Sequence, residues 1–263
     1  MKYFRIGTLN CQNNADNRNL KQKENALVLA NHIVEKQYDI LGTQELTKGF
    51  TRQVNEYLEI YTFHGGYQFG SGFFGTKVPI IRDYNESTQI LTRGVAEHVR
   101  TGALPWIPWN FKEFCRALFK GALKRRIVTV VELETIEHYI YIINTHLDYY
   151  LHNLQKRQLN YLYKKAKKYA ALGDVVIMGD FNLQITNPMF RHFENKLNEI
   201  GIRRVNVDEK TNSAKYKSKT AIDHIFIPSY WKIVDCGTFD TLALSEITDH
   251  KAVYVDVVFW PEV

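Results

Sequence analysis

Apolar positions along this chain fall either in short runs of β-branched and aromatic residues or at helical spacing, and the two patterns predict its elements. Short runs rich in β-branched and aromatic residues predict strands at Tyr3 to Thr8, Tyr38 to Thr43, Gly72 to Gly75, Ile127 to Leu133, His138 to Thr145, Val175 to Gly179, Asp223 to Ile227 and Val253 to Phe259. Helical spacing takes over from Leu20 to Lys36, where Leu27, Ala30 and Val34 recur at three and four residue intervals. It returns from His152 to Ala171 with Leu154, Leu159, Leu162 and Ala166. Strands alternating with helices predict an α/β fold. The passage from about 60 to 145 reads as strands without helices, so antiparallel pairs are expected too, and with them mixed sheets rather than a purely parallel one. No cluster of Pro, Gly or Ser marks a linker and no internal period marks a repeat, so residues 1–263 are expected to form one domain.

Composition narrows the class. With 45% hydrophobic and 13% aromatic residues the chain has ample surface to bury, which excludes a disordered protein. The longest apolar runs, YIYII at 139–143 and VVIM at 175–178, have strand length and fall far short of the roughly 18 to 20 residues of a spanning helix. The start, MKYFRIGTLN, lacks the apolar core of a signal peptide, and Cys11, Cys115 and Cys236 form neither a CxxC pair nor an even disulfide set. A soluble, cytoplasmic protein is the expectation. A formal net charge of +6 favours a polyanionic partner without naming one.

Candidate chemistry gathers at the strand ends. The first strand runs into Thr8, Leu9 and Asn10; YDILGTQE ends at Glu45; YIYIINTHLD ends at Asn144, His146 and Asp148; VVIMGDFN ends at Asp180 and Asn182. TAIDHIFI carries Asp223 and His224, and ITDHKAVYVDV places Asp249 and His250 just before the last strand. Any one of these is an ordinary turn former or helix cap. Six strand ends bearing carboxylates, carboxamides or imidazoles together predict a strongly polar pocket, and such a donor set suits a hard divalent cation better than zinc.

The ordered motifs TLN, QE, NTHLD, GDFN, IDHIF and TDHK, spanning residues 8 to 251, resemble the endonuclease/exonuclease/phosphatase superfamily. That family includes deoxyribonuclease I-like and exonuclease III-like nucleases, neutral sphingomyelinases, inositol polyphosphate 5-phosphatases and deadenylases. The resemblance implies a four-layer α/β sandwich, two mixed β-sheets packed face to face with helices outside. It also implies phosphoester cleavage dependent on Mg²⁺ or Mn²⁺. By the same resemblance Glu45 is the principal metal ligand, with Asn10 beside it as a metal or phosphate contact and Asp249 as a second acidic site near metal and water. Asp180 orients or deprotonates the attacking water, Asn182 helps hold phosphate oxygens, His146 hydrogen-bonds phosphate, and Asp223 with His250 forms a carboxylate–histidine dyad. Asn144 is expected to contact substrate. One departure stands out: the family's Gly-Asn or Gly-Glu is replaced by Ser71 and Gly72 in SGFFGTKVPI.

These motifs are shared by enzymes acting on DNA, RNA, phospholipid headgroups and inositol phosphates. Nucleic acid leads among them because of LPWIPWNFKEFCRALFKGALKRR at 104–126, where Phe111, Phe114, Leu118 and Ala122 repeat at helical spacing beside a stripe of Lys112, Arg116, Lys120 and Lys124. Lys112, Arg116, Lys120 and Arg126 are therefore expected substrate contacts, while Trp106 and Trp109 suit either base stacking or peripheral membrane contact. The alternatives are a phosphodiesterase or phosphatase for a lipid headgroup or inositol phosphate, and a catalytically silent module that binds nucleic acid or protein.

Overall fold

The computed structural model describes residues 3–12, 20–66, 86–93, 96, 98–105, 115, 126–135, 139–207, 209–212 and 220–259. The predicted strand at Gly72–Gly75 and nearly all of the 104–126 segment lie outside them. The strands are β1 (Phe4–Asn10), β2 (Ile40–Thr47), β3 (Tyr61–His64), β4 (Glu86–Arg93), β5 (His98–Ala103), β6 (Ile127–Glu134), β7 (Tyr139–His146), β8 (Asp174–Asp180), β9 (Ile202–Arg204), β10 (Asp223–Pro228), β11 (Lys232–Phe239) and β12 (Ala252–Val258). The helices are α1 (Leu20–Lys36), α2 (Lys48–Asn55), α3 (His152–Ala170), α4 (Pro188–Asn198) and α5 (Leu242–Ile247). Strands β3, β4, β5, β9 and β11 were not predicted. They are short, or polar like the β4 sequence ESTQILTR, or exposed at an edge like β5, so their apolar alternation is weak.

Two six-stranded sheets form, in the orders β11-β12-β1-β2-β4-β3 and β5-β6-β7-β8-β10-β9. They share one pairing pattern. In each a single parallel pair lies at the centre, β1 with β2 and β7 with β8, and every other neighbour is antiparallel. Alternation along these strands feeds three apolar layers. On β7, Ile140 and Ile142 face the other sheet, while Tyr141 and Ile143 face α3; on β8, Val176 and Met178 point inward and Val175 and Ile177 outward. The inter-sheet layer continues through Ile6, Ile40, Ile90, Ile225 and Val255. A second layer lies under α3 and α4 with Leu159, Leu162, Phe190 and Phe193, and a third under α1, α2 and α5 with Leu29, Ile33, Phe50 and Leu244. Helix, sheet, sheet and helix stack in that order, the four-layer sandwich expected. Among the described residues no helix is long and apolar enough to cross a membrane.

One buried group ties this packing to pH. His32 on α1 is 5% exposed, its Nε2 lies 3.1 Å from the Tyr38 hydroxyl, and burial, helped by Lys36, holds its pKa down to about 4 from the ordinary 6.5. A histidine whose folded value is depressed stabilises the fold above its unfolded pKa, and the unfolded chain takes up the proton first as pH falls. The stability lost between about pH 6.5 and 4 should reach roughly 3 kcal/mol. His32→Gln should flatten that slope in urea melts at pH 7 and pH 5; equal slopes in both proteins would assign the acid loss elsewhere.

Candidate active site

Following the inward-facing residues along each central strand shows how the site arises. The series Ile6, Thr8, Asn10 on β1, Ile142, Asn144, His146 on β7, Val176, Met178, Asp180 on β8 and Ile227, Ile225, Asp223 on β10 each pass from apolar to polar toward the same end of the sandwich. Register then joins them, because His146 pairs with Asp180 and Asp180 with Asp223. The polar pocket is the continuation of the inter-sheet core.

Glu45 reaches it by an irregularity. In the β2–β4 ladder Gln44 pairs with Thr88 and Leu46 with Ser87, leaving Glu45 as an extra residue with φ of 62°. Regular alternation would turn Glu45 outward, as it does Leu41. The bulge returns Leu46 to the outer layer and aims Glu45 at the site. A non-glycine residue in the left-handed region costs about 1–2 kcal/mol, a strain held here by the surrounding ladder. Asn182 is left-handed as well, at φ of 51°; its N–H donates to Asp180 Oδ1 at 2.8 Å and its Nδ2 to the Leu147 carbonyl at 3.0 Å. Gly179, at φ of 141°, lies so close to the Thr145 carbonyl that no Cβ would fit.

Asp180 is the centre of the arrangement. Its Oδ2 accepts from Asn10 Nδ2 at 3.0 Å and lies 3.4 Å from His146 Nε2. Asn10 Nδ2 also donates to Glu45 Oε1 at 3.3 Å, and His146 Nε2 is 3.7 Å from that same oxygen. On the other side Asp223 Oδ2 binds His250 Nδ1 at 2.9 Å and accepts from Thr211 Oγ1 at 2.6 Å, while His250 Nε2 is 3.8 Å from Asp249 Oδ1. One ligand atom each of Asp180, Asp223 and His250 lies within 4.8 Å of the others. Burial lifts the Asp180 carboxyl well above the usual carboxylate range and the charge of Asp223 adds to this, against the opposing pull of His250, Asn10 and the Asn182 N–H. For His250 burial alone would disfavour the charge, but Asp223, through both charge and hydrogen bond, together with Asp180 and Asp249, outweighs it and raises its pKa. A carboxyl whose charge is disfavoured is thereby set beside an imidazole whose charge is favoured.

Apart from the His146 and His250 imidazoles, the donors among the described residues are carboxylate oxygens with no thiolate among them, a set that fits a hard divalent cation. Within the set, Asp223 Oδ2 is engaged by His250 and Thr211, whereas Glu45 keeps its side chain 19% exposed and Asp249 15%. Asn10 behaves differently from expectation: its Oδ1 accepts from Gln12 N at 2.9 Å, so it turns hydrogens, not oxygen, toward Glu45 and Asp180 and clamps them.

Two expected substrate contacts need correction. Asn144 is fully buried, accepting from Gln44 Nε2 at 2.7 Å and donating to the Gln89 and Thr43 carbonyls at 2.6 and 2.9 Å. It cross-links the two sheets beneath the site and offers nothing to a substrate. Arg126, 1% exposed, points its Nη1 at His146 Nδ1 at 2.9 Å. Lys112, Arg116, Lys120, Ser71 and Gly72 lie outside the described residues. His224 faces away from the site, its Nε2 against the Leu183 carbonyl at 3.0 Å and its ring against Phe190. Sequence reasoning missed Thr211, in a stretch without pattern, and Thr248, whose Oγ1 donates to the Asn10 carbonyl at 2.6 Å and accepts from His250 N at 3.1 Å. Its place just before Asp249 and His250 was the available signal.

A sandwich of paired mixed sheets with this acidic and imidazole cluster at one end defines a class. A sequence model of the endonuclease/exonuclease/phosphatase family matches residues 7–250, and the chain belongs to that family. The crystal structure of an endonuclease/exonuclease/phosphatase from Bacteroides vulgatus superposes with a TM-score of 0.72 at 16% identity, covering 98% of this chain and 99% of the other. A mannosyl-6-phosphatase from Bacteroides thetaiotaomicron gives 0.72 at 18% identity, covering 97% and 100%. D. rerio TDP2 in complex with a single-strand DNA product gives 0.65 at 16% identity, covering 98% and 100%. Comparison with curated protein sequences finds no match.

Proposed function

We propose that this protein hydrolyses a phosphoester with the help of a divalent cation, Mg²⁺ or Mn²⁺. The observation that carries the reading is the position of Asp180, flanked by Glu45, Asn10 and His146 on one side and by the Asp223–His250 pair on the other. A cation held by Glu45 and Asp249 would neutralise the phosphate's non-bridging oxygens. The chain's own groups do the rest. Asp180, made more basic by burial, takes the proton of the attacking water; Asn10 and the Asn182 N–H fix its two oxygens. Protonated His250, oriented by Asp223, faces the phosphate, and His146 donates toward a phosphate or leaving oxygen.

For the substrate, the net charge of +6 and the basic stripe at 112–124 support nucleic acid as the first reading. A second reading is favoured by one observation. A cavity of about 360 Å³ opens beside Asn182, and its described lining, including Tyr149, His152, Gln184, Thr186, Asn187 and Asn212, carries no Lys, Arg, Asp or Glu. Such a lining suits an uncharged hydroxylated group on a small phosphoester. The test is product release from DNA, RNA, sphingomyelin, inositol phosphates and hexose phosphates with Mg²⁺ or Mn²⁺, each with an EDTA control. Metal-dependent release is expected; oligonucleotides leading in kcat/KM supports the first reading, hexose phosphates the second. No release from any of them would sink the phosphoesterase assignment.

A further inference from the structure

Arg126 directly precedes β6, where Val128 pairs with Thr145 of β7, and its own carbonyl accepts from Leu104 N at 2.8 Å. Its backbone is thus fixed beside the strand that carries His146. The side chain is 1% exposed, so no substrate group reaches the guanidinium without displacing protein. Its Nη1 lies 2.9 Å from His146 Nδ1. A guanidinium has five N–H donors and no acceptor, so at this contact the imidazole must offer a lone pair, and its ring proton belongs on Nε2. The other edge of the ring makes the same demand. His146 Nε2 faces Asp180 Oδ2 at 3.4 Å and Glu45 Oε1 at 3.7 Å, both acceptors. The opposite tautomer would set N–H against N–H at Arg126 and a lone pair against two carboxylates.

We propose that Arg126 is a positioning residue that holds His146 as the Nε2–H tautomer with that hydrogen aimed into the reaction space. Its kinetic consequence rests on the phosphoesterase reading above; the tautomer does not. A ring fixed in this way presents one donor to the phosphate or leaving oxygen and cannot rotate to offer its lone pair instead. The guanidinium adds a fixed donor at the Nδ1 edge of a ring that is 3% exposed, opposite the carboxylates at its Nε2 edge.

The test uses the full chain. Long-range ¹H–¹⁵N NMR of the wild type should show His146 protonated on Nε2 and not on Nδ1. Arg126→Met should lower kcat by roughly 10- to 100-fold on a small phosphodiester such as bis(p-nitrophenyl) phosphate, while KM changes less than about threefold. Arg126→Lys, whose ammonium also only donates, should recover part of the loss. In a His146→Ala background Arg126→Met should cost less than about twofold, because the two residues act as one unit. A proton on Nδ1 in the wild type, a raised KM with unchanged kcat, or an undiminished cost in the His146→Ala background would each overturn the proposal. If Arg126→Met does not fold, the wild-type spectrum and the Lys variant still decide it. A wild type with no turnover on any phosphoester would fail the phosphoesterase reading alone, and the tautomer would then stand or fall on the spectrum.

Discussion

Glu45→Gln should lower kcat/KM by about 10²-fold or more and weaken Mg²⁺ or Mn²⁺ binding in calorimetric titration, and excess EDTA should abolish turnover of the wild type. The change removes one charge while keeping the shape of the side chain. Its backbone strain is unaltered, since the amide enters the same left-handed conformation at the bulge as the acid does. The melting temperature should therefore move little. That separation makes the experiment informative: the carboxylate contributes its charge at the site, and the fold depends on the bulge rather than on the head group. Full activity in excess EDTA, or unchanged kinetics in the Gln variant, would remove the cation from the mechanism.

The next largest effect is expected from breaking the central cluster. Asp180→Asn and His250→Ala should each reduce kcat by about 10² or more, and the double variant should lose clearly less than the product of the two. The physical reason is proximity. Ligand atoms of Asp180, Asp223 and His250 lie within 4.8 Å of one another, and each of Asp180 and His250 shifts the protonation of the other. Groups so placed share one charge distribution, so removing either spoils the setting of its neighbour. Losses that multiply would show two independent roles and dismantle the cluster as a mechanistic unit.

Much of this molecule was legible along the chain. Enrichment in β-branched and aromatic residues is a local property, so β1, β2, β6, β7, β8, β10 and β12 declare themselves in sequence. The helices α1 and α3 announce themselves by helical spacing. The family motifs place acidic, amide and imidazole residues at the ends of the right strands. Edge strands such as β5 and the polar β4 stayed hidden because one exposed or hydrogen-bonded face carries no apolar rhythm.

What the sequence by itself determined, then, is the identity of the central strands and the polar residues that terminate them. Only the tertiary structure decided how those residues use their atoms. Strand register brought His146, Asp180 and Asp223 side by side. A single inserted residue in the β2–β4 ladder turned Glu45 from the outer face to the pocket, which no regular alternation could foretell. Asn144 and His146 sit two residues apart on one face, yet the first is enclosed between the sheets by Gln44 and Gln89 and the second faces the carboxylates. Thr211 and Arg126 acquire their partners from strands whose contacting residues lie 12 and 20 positions further on. Periodicity reports on the nearest neighbours of a residue, whereas register, bulges and the depth of a side chain between two sheets are fixed by contacts between segments that the linear pattern does not relate.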